Sequence, residues 1–268
     1  MIARKVAATL AAAVVALGIS ASAAGAWAPA DSATVHPGIQ TFTNGAQCTA
    51  NFVFSDGTNT YLGQAAHCSG TGGNTETNGC TSKSLPDGTA VDIGTGHPAT
   101  MVYNSWNTMQ RLGEKDANTC QYNDLALLKL DAADVANTNP SVPFWGGPTG
   151  VDTTGTQAGD EVESYGNSEL RGGVTALSPK EGKSLGDSAG GWTHQVYTVT
   201  PGIPGDSGSA FIDSNGKALG ILSTVELAPL AGSNGVGDVA KEVAYMQAHG
   251  GPAANIVNGT EPFTGPLL

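Results

Sequence analysis

The sequence predicts an all-β protein built from two successive β units. Hairpin-forming dipeptides are frequent, since Asn-Gly occurs five times and Asp-Gly twice, and both supply the positive φ angles of tight turns. Glycine makes up 38 of the 268 residues, about twice its usual share. Short apolar runs lie between the turns, at the spacing typical of sandwiches and barrels.

These apolar runs fall into two sets, separated by a connector at residues 139–159 that is rich in Pro, Gly and Thr. Apolar residues recur at helical spacing over residues 236–249, which predicts a C-terminal helix. The first set of predicted strands comprises residues 49–54, 60–65, 90–94 and 125–130, and the second comprises residues 160–165, 173–177, 194–200, 209–213 and 218–224.

The first 28 residues have the pattern of a secretory signal peptide. Arg4 and Lys5 form a short positive region, residues 6–19 are apolar, and small residues at 21–26 offer cleavage sites. The apolar run is shorter than the roughly 20 residues that a membrane helix needs. We therefore expect the mature chain, residues 29–268, to be secreted and to make no membrane contact.

Composition excludes two classes of protein. Charged residues are 13% and hydrophobic residues 40% of the chain, a balance unlike that of disordered proteins. The formal net charge of −12 repels phosphate, so nucleic acid is not an expected partner.

Four cysteines, Cys48, Cys68, Cys80 and Cys120, form an even set in a chain predicted to be exported. Two disulfides are the default in an oxidising compartment. A zinc site is the rival, but the chain has no Cys-x-x-Cys pair, and only His67 lies beside a cysteine. Three pairings are open at this point.

Three segments indicate nucleophilic catalysis. His67 closes an apolar strand in Gln-Ala-Ala-His-Cys, Asp124 opens one in Asn-Asp-Leu-Ala-Leu-Leu, and Ser207 lies in Pro-Gly-Asp-Ser-Gly-Ser-Ala. A serine hydroxyl becomes a strong nucleophile when an adjacent base takes its proton, and histidine titrates in the right range. A carboxylate is then needed to orient the imidazole. Each residue alone has a structural explanation, but the three together point to this chemistry.

These segments resemble those of the chymotrypsin-like (trypsin-fold) serine peptidases, most closely the bacterial secreted branch. The resemblance covers about residues 36–250. It implies an all-β fold of two perpendicular six-stranded antiparallel β-barrels, at about 36–138 and 160–250, with a C-terminal α-helix and the active site between the barrels. It also implies a catalytic triad of His67, Asp124 and Ser207.

The same resemblance implies further site residues. The backbone N–H groups of Gly205 and Ser207 would form the oxyanion hole. Ser223 would contact the catalytic aspartate, and Thr224 and Val225 would pair with the substrate backbone. A disulfide that closes the histidine loop would join Cys48 to Cys68, which leaves Cys80 to pair with Cys120.

The sequence departs from the family pattern near the nucleophile. The family usually has Thr where Gln64 stands, and no cysteine lies beyond Cys120. Pro201 stands six positions before Ser207, where trypsin-like members have an acidic residue, so a small or apolar specificity pocket is expected.

Asp206 needs a buried partner. The predicted mature chain has two arginines, and Arg171 in the second unit is a better candidate than Arg111.

A second Gly-Asp-Ser segment, ending at Ser188, competes for the role of nucleophile. The sequence places it in a glycine-rich loop, whereas Ser207 is followed by strand, turn and strand, as the nucleophile should be. We therefore assign Ser207. His194 opens a predicted strand nearby, and a structural role is expected for it.

The leading hypothesis is a secreted serine endopeptidase that hydrolyses peptide bonds through an acyl-enzyme intermediate. It needs no metal or organic cofactor, acts on protein or peptide substrates, and is expected to be a monomer. One alternative is a secreted binding or adhesion module with an idle site, which the prolines before Gly205 favour because they could distort the oxyanion loop. The other is an esterase that uses the same triad.

Overall fold

A computed structural model gives the fold. It describes residues 27–73, 76–226 and 230–266, so the predicted leader lies outside the described part except for its last two residues. None of the helices in these described ranges has the length and apolar character needed to cross a membrane.

The described part of the chain is mostly β, with four short α-helices. Its strands are β1 (Gln40–Thr43), β2 (Ala46–Thr49), β3 (Val53–Ser55), β4 (Thr60–Ala65), β5 (Ala90–Val91), β6 (Ala99–Asn104), β7 (Leu125–Lys129), β8 (Glu161–Tyr165), β9 (Pro179–Ser188), β10 (Thr193–Val199), β11 (Ala210–Asp213), β12 (Ala218–Val225), β13 (Asn234–Asp238) and β14 (Asn255–Ile256). Its helices are α1 (Ser105–Leu112), α2 (Ala117–Tyr122), α3 (Ala132–Val135) and α4 (Val239–Ala248).

The second unit is a closed barrel in the strand order β10–β13–β12–β11–β8–β9. All its pairings are antiparallel. The barrel encloses a small apolar core of Val162, Val196, Phe211, Leu219, Leu222 and Val236. Closure gives each of the six strands a paired neighbour on both sides over part of its length. The predicted all-β fold class with a C-terminal helix is confirmed. Of the two predicted six-stranded barrels, the second is this closed barrel, and the first is a six-stranded sheet.

The first unit is a six-stranded antiparallel sheet in the order β14–β3–β4–β7–β6–β5, with the hairpin β1–β2 beside it. A bridge between Phe42 and Asp92 joins the hairpin to the segment that follows β5. The strand β14 comes from the far end of the chain, so the first unit is completed by residues beyond α4.

A core lies between the two units and fixes one against the other. Leu127 of the first sheet, Ile212 and Ile221 of the barrel, and Met246 of α4 belong to one buried cluster. Trp145 of the connector is only 2% exposed in this cluster, and its Nε1 donates to Ser164 O at 2.7 Å. Full burial of a Leu, Ile or Met side chain in this cluster contributes roughly 1.5–3 kcal/mol. The connector and α4 therefore hold the cleft between the units in one geometry.

Three local predictions were wrong in detail. Residues 173–177 form a short 3-10 turn at Thr175–Leu177 rather than a strand, and Val174 and Leu177 are exposed. The predicted helix over 236–249 begins at Val239, because Asn234–Asp238 pairs with β12 and β10 before the Asp238 carboxylate caps α4. The glycine-rich loop predicted around Ser188 begins inside a strand, because Gly186–Ser188 are the last residues of β9 and pair with β10.

Candidate active site

His67 lies in a 3-10 turn, Ala66–Ser69, directly after β4. The backbone N–H of Ala66 donates to Asp124 O at 2.6 Å, and the Cys48–Cys68 disulfide ties the turn to β2. Asp124 follows α2 and precedes β7, which pairs with β4 from Ala65 onward. The pairing of two adjacent strands therefore brings together two residues that lie 57 positions apart in the chain.

The Asp124 carboxylate is almost fully buried, and both its oxygens accept hydrogen bonds. Oδ1 accepts from His67 N at 2.8 Å. Oδ2 accepts from His67 Nδ1 at 2.6 Å and from Ser223 Oγ at 2.5 Å. Since Nδ1 donates, the imidazole presents Nε2 as the free acceptor that a general base needs. The predicted contact between Ser223 and Asp124 is present.

The pKa of His67 reflects two opposing effects. Burial disfavours the imidazolium and lowers the pKa, but the negative charge of Asp124 and its hydrogen bond to the ring outweigh burial. The pKa of His67 is therefore raised above its ordinary value.

Ser207 lies in a tight turn that leads into β11. The turn is fixed to both units, because Thr49 N donates to Ser207 O at 2.9 Å and Gly208 N donates to Leu222 O at 2.7 Å. Gly208 has φ +87°, and a Cβ there would lie 2.7 Å from Thr49 O and 2.8 Å from Ala65 N. Only glycine fits this close approach. The turn thus lies against the end of β4, two residues before His67.

Among the described residues, no hydrogen bond joins Ser207 Oγ to His67. In resting enzymes this contact is often long and tightens only when substrate binds.

The loop at Gly205 is held through two neighbouring carbonyl groups. Pro204 O, in the peptide that carries the Gly205 N–H, accepts from Ser168 Oγ at 2.6 Å. Gly205 O accepts from Gln47 Nε2 at 3.0 Å and from Thr49 Oγ1 at 2.8 Å, and Gly205 has φ +95°. Within the described ranges, the backbone N–H groups of Gly205 and Ser207 donate to no protein atom. Two neighbouring free N–H groups in a fixed turn are the donors that an oxyanion hole requires.

Asp206 is completely buried beneath this turn. Its Oδ2 accepts from Arg171 Nη2 at 2.7 Å and lies 3.0 Å from Lys180 Nζ, while its Oδ1 accepts from Ser168 N at 3.0 Å. Arg171 is thus the partner that the sequence indicated, and Lys180 is a second one that sequence reasoning missed. Burial lowers the pKa of Lys180, an effect that the charge of Asp206 opposes.

A buried lysine on a barrel strand is the signal that could have identified Lys180. It lies on β9, directly opposite Ser164 of β8, and its side chain is fully buried. Lysines are almost never fully buried without a partner. A strand predicted over β9 would have placed Lys180 inside the barrel. A negatively charged partner such as Asp206 would then have been expected.

Ser223, Thr224 and Val225 form the end of β12. Leu222 still makes backbone hydrogen bonds to Gly208 and Ser209. Beyond Leu222 the strand pairs with β13 on one side only. Val225 is 49% exposed and Thr224 is half-buried. A strand with one open edge can accept an extended peptide through main-chain hydrogen bonds.

The competing serine, Ser188, ends β9 and is exposed, so it lies at a strand end rather than in a loop. The neighbouring Asp187 accepts from His194 Nδ1 at 2.7 Å and from Thr156 Oγ1 at 2.7 Å. His194 is fully buried, and its Nε2 lies 3.3 Å from Asp238. It therefore links β9, β10 and the start of α4.

The four cysteines form two disulfides, Cys48–Cys68 and Cys80–Cys120, which are the pairs that the resemblance implied. His67 lies close to Cys48 and Cys68. Zinc binds cysteine as thiolate, and both sulfurs are consumed by the disulfide, so this group is not a zinc site.

Comparison with known proteins gives one family and a set of structural neighbours. The family model Trypsin matches residues 38–247. Thermobifida fusca Protease A is 15% identical, with 84% of this chain and 99% of that chain covered and a TM-score of 0.54. The Nocardiopsis protease is 14% identical, with 83% of this chain and 98% of that chain covered and a TM-score of 0.52. Cellulomonas bogoriensis chymotrypsin is 15% identical, with 83% of this chain and 98% of that chain covered and a TM-score of 0.50. At such identities the likeness shows the fold. No curated protein sequence matches the chain.

Proposed function

This chain belongs to the trypsin family of serine peptidases, and from that premise we propose how it acts. It is a secreted endopeptidase that hydrolyses peptide bonds through an acyl-enzyme intermediate. Ser207 is the nucleophile, His67 acts first as base and then as acid, and Asp124 orients His67. The oxyanion that forms on the substrate carbonyl is stabilised by the N–H groups of Gly205 and Ser207.

The observation that supports this proposal most strongly is the hydrogen bonding of Asp124. Its carboxylate accepts from His67 Nδ1, His67 N and Ser223 Oγ, so the imidazole is held in one tautomer with Nε2 directed away from the acid. A base oriented by a third group is the arrangement that activates a serine. The pKa of His67, raised by Asp124, favours proton acceptance from the serine hydroxyl.

The geometry of the oxyanion loop also favours an active site over an idle one. The prolines before Gly205 are accommodated in a turn in which Asp206 N donates to Ile203 O at 2.9 Å. The Asp206 carboxylate additionally accepts from Ile203 N and from Arg171. These contacts stabilise the loop in the conformation that leaves the Gly205 and Ser207 N–H groups free.

Secretion is supported by the predicted leader and by the two disulfides, because disulfides persist in oxidising compartments. The substrate class that follows from the family is protein or peptide. The open edge of β12 at Ser223–Val225 offers the backbone hydrogen bonds that an extended substrate would use.

The test of this proposal compares two serines. Ser207→Ala is expected to abolish covalent labelling by a fluorophosphonate and to reduce peptide turnover by several orders of magnitude, because triad members act as a unit. Ser188→Ala is the matched control, since the same Gly-Asp-Ser segment surrounds it, and it should leave labelling and turnover unchanged.

Mass spectrometry of the labelled peptide identifies the modified residue. An adduct on Ser188 would overturn the assignment of the nucleophile. A folded protein in which neither serine labels would instead support the binding-module alternative.

A further inference from the structure

Glu242 of α4 is a buried carboxyl group beside the triad. Its side chain is completely buried, and its Oε1 accepts a hydrogen bond from the backbone N–H of Asp124 at 2.7 Å. Its Oε2 is also buried and has no partner in the described part of the chain. Glutamates are almost never fully buried unless they are paired, so this placement calls for an explanation.

The packing around Glu242 is adapted to its carboxyl group. A Cβ at Gly237 would lie 2.7 Å from Glu242 Oε1 and 3.2 Å from Tyr122 O. Gly237 has no such atom, and this leaves the gap through which Oε1 reaches the start of β7. The end of β13 and the first turns of α4 therefore cooperate to bring a carboxyl group to the backbone of Asp124.

The hydrogen-bond partners of Asp124 come from different parts of the chain. Its carboxylate is bound by His67 and Ser223, and its carbonyl accepts from Ala66 N. Its N–H is bound by Glu242, which comes from a helix 118 residues further along the chain. Without this acceptor the buried N–H would lose its partner, which is costly for a backbone group.

We propose that Glu242 is a positioning residue for the reaction: it fixes the backbone of Asp124 and, through it, the carboxylate that orients His67. This inference rests on the proposed function, because it requires Asp124 and His67 to act as assigned there.

The charge state of Glu242 supports this role. Burial raises its pKa well above the ordinary value; the hydrogen bond from Asp124 N lowers the pKa, and the negative charges of Asp124 and Asp238 raise it further. Tyr103 of β6 also interacts electrostatically with Glu242. Burial and the neighbouring acids therefore favour the neutral carboxyl group, which accepts the N–H without placing a second negative charge beside Asp124.

Two substitutions separate positioning from other roles. Glu242→Gln keeps the acceptor and the shape of a protonated carboxyl group, whereas Glu242→Leu removes the acceptor. The matched control is Met246→Ala, on the same helix and also fully buried, which loses packing but makes no hydrogen bond to the triad.

The first measurement is the pKa of His67 by NMR titration in a Ser207→Ala background. We expect Leu to lower this pKa, because a displaced Asp124 stabilises the imidazolium less. Gln and the Met246→Ala control should leave it unchanged. The second measurement is turnover with Ser207 intact: Leu should reduce kcat roughly 10- to 100-fold with KM nearly unchanged, as expected when a catalytic group is misplaced, and Gln should restore kcat.

Two outcomes overturn the inference. One is a folded Leu variant with the wild-type His67 pKa and kcat. The other is a Gln variant that behaves like Leu, which would assign the effect to charge.

If the Leu variant does not fold, Gly237→Ala takes its place. The added Cβ would displace Glu242 Oε1 and should lower the pKa of His67. An unchanged pKa of His67 in this variant also overturns the inference. The titration needs no turnover, so a wild-type protein without peptidase activity would defeat the proposed function alone.

Discussion

As the proposed general base, His67 sets the pH range in which we expect activity. Its pKa is raised above the ordinary value of 6.5, because Asp124 stabilises the imidazolium more than burial destabilises it. The imidazolium cannot accept the serine proton, so kcat/KM is expected to fall as the pH drops through this raised pKa. A pH profile on a peptide substrate should have its acid-side midpoint above 6.5. Full activity at about pH 4 would contradict His67 as the base.

A matched pair of variants checks the cause of this shift. Asp124→Asn removes the charge that raises the pKa of His67, so NMR titration should give a lower value. Asp134→Asn is the control, because Asp134 lies 3.4 Å from the exposed His97 and away from the site. Equal effects of the two substitutions on the pKa of His67 would contradict a local cause.

The partners of the buried Asp206 could be predicted from the sequence only in part. A buried acid demands a counter-charge, and the scarcity of arginines was enough to predict Arg171. Lys180 was missed because no strand was predicted over β9. Removing one partner of a buried ion pair typically lowers the free energy of unfolding by about 3–5 kcal/mol. Arg171 and Lys180, which both pair with Asp206, therefore stabilise the loop that contains Gly205 and Ser207.

At the scale of elements, β9 is the clearest case in which context overrides propensity. Its sequence contains two glycines and four charged residues, which predicts a loop. In the barrel it pairs with β8 over five residues and with β10 over seven. Pairing on both sides satisfies its backbone groups, which outweighs the weak preference of its side chains.

The segment after α4 is an element of the fold that the sequence did not predict. It adds β14 to β3, and residues beyond β14 contact the connector. Four further backbone hydrogen bonds hold it: Val257 N to Val53 O, Gly259 N to Pro148 O, Gly147 N to Glu261 O, and Thr264 N to Trp145 O.

Deleting residues 252–268 is expected to lower the free energy of unfolding by about 2–6 kcal/mol, since each of these hydrogen bonds contributes roughly 0.5–1.5 kcal/mol net. Denaturant unfolding measures the change. The control is deletion of residues 265–268, which removes none of the four hydrogen bonds. Equal stability of the two truncated proteins would show that the segment does not stabilise the fold.

At the scale of the whole molecule, the two units differ in how they are stabilised. Both disulfides lie in the first unit and close loops with sequence separations of 20 and 40 residues. Each contributes roughly 3–4 kcal/mol through the entropy of the unfolded chain. The second unit has no disulfide among its described residues and relies on closure of its barrel.

Reduction is therefore expected to loosen the first unit more than the second. Hydrogen exchange of the reduced protein should rise mainly between Cys48 and Leu130 and change little in the barrel strands β8–β13. The oxidised protein under the same conditions is the reference. Uniform loosening of both units would contradict this division.

The sequence by itself predicted the candidate triad residues and their order along the chain. The segments around His67, Asp124 and Ser207 are local signals, because a glycine-flanked serine and an acid that opens a strand can be recognised within a few residues. The alternation of turns and apolar runs likewise predicted two β units, since the spacing of turns is a local property. Ser207 was preferred to Ser188 as the proposed nucleophile because a strand, a turn and a second strand follow it.

Only the tertiary structure decided which distant groups support these residues. Lys180 and Arg171 meet beneath Asp206, Glu242 reaches the backbone of Asp124 from the C-terminal helix, and β14 completes the first sheet. Each of these contacts joins segments that are far apart in the chain, so no local pattern specifies it. These contacts depend on barrel closure and on the core between the units. Both bring the distant segments close enough for ion pairs, hydrogen bonds and strand pairing to form.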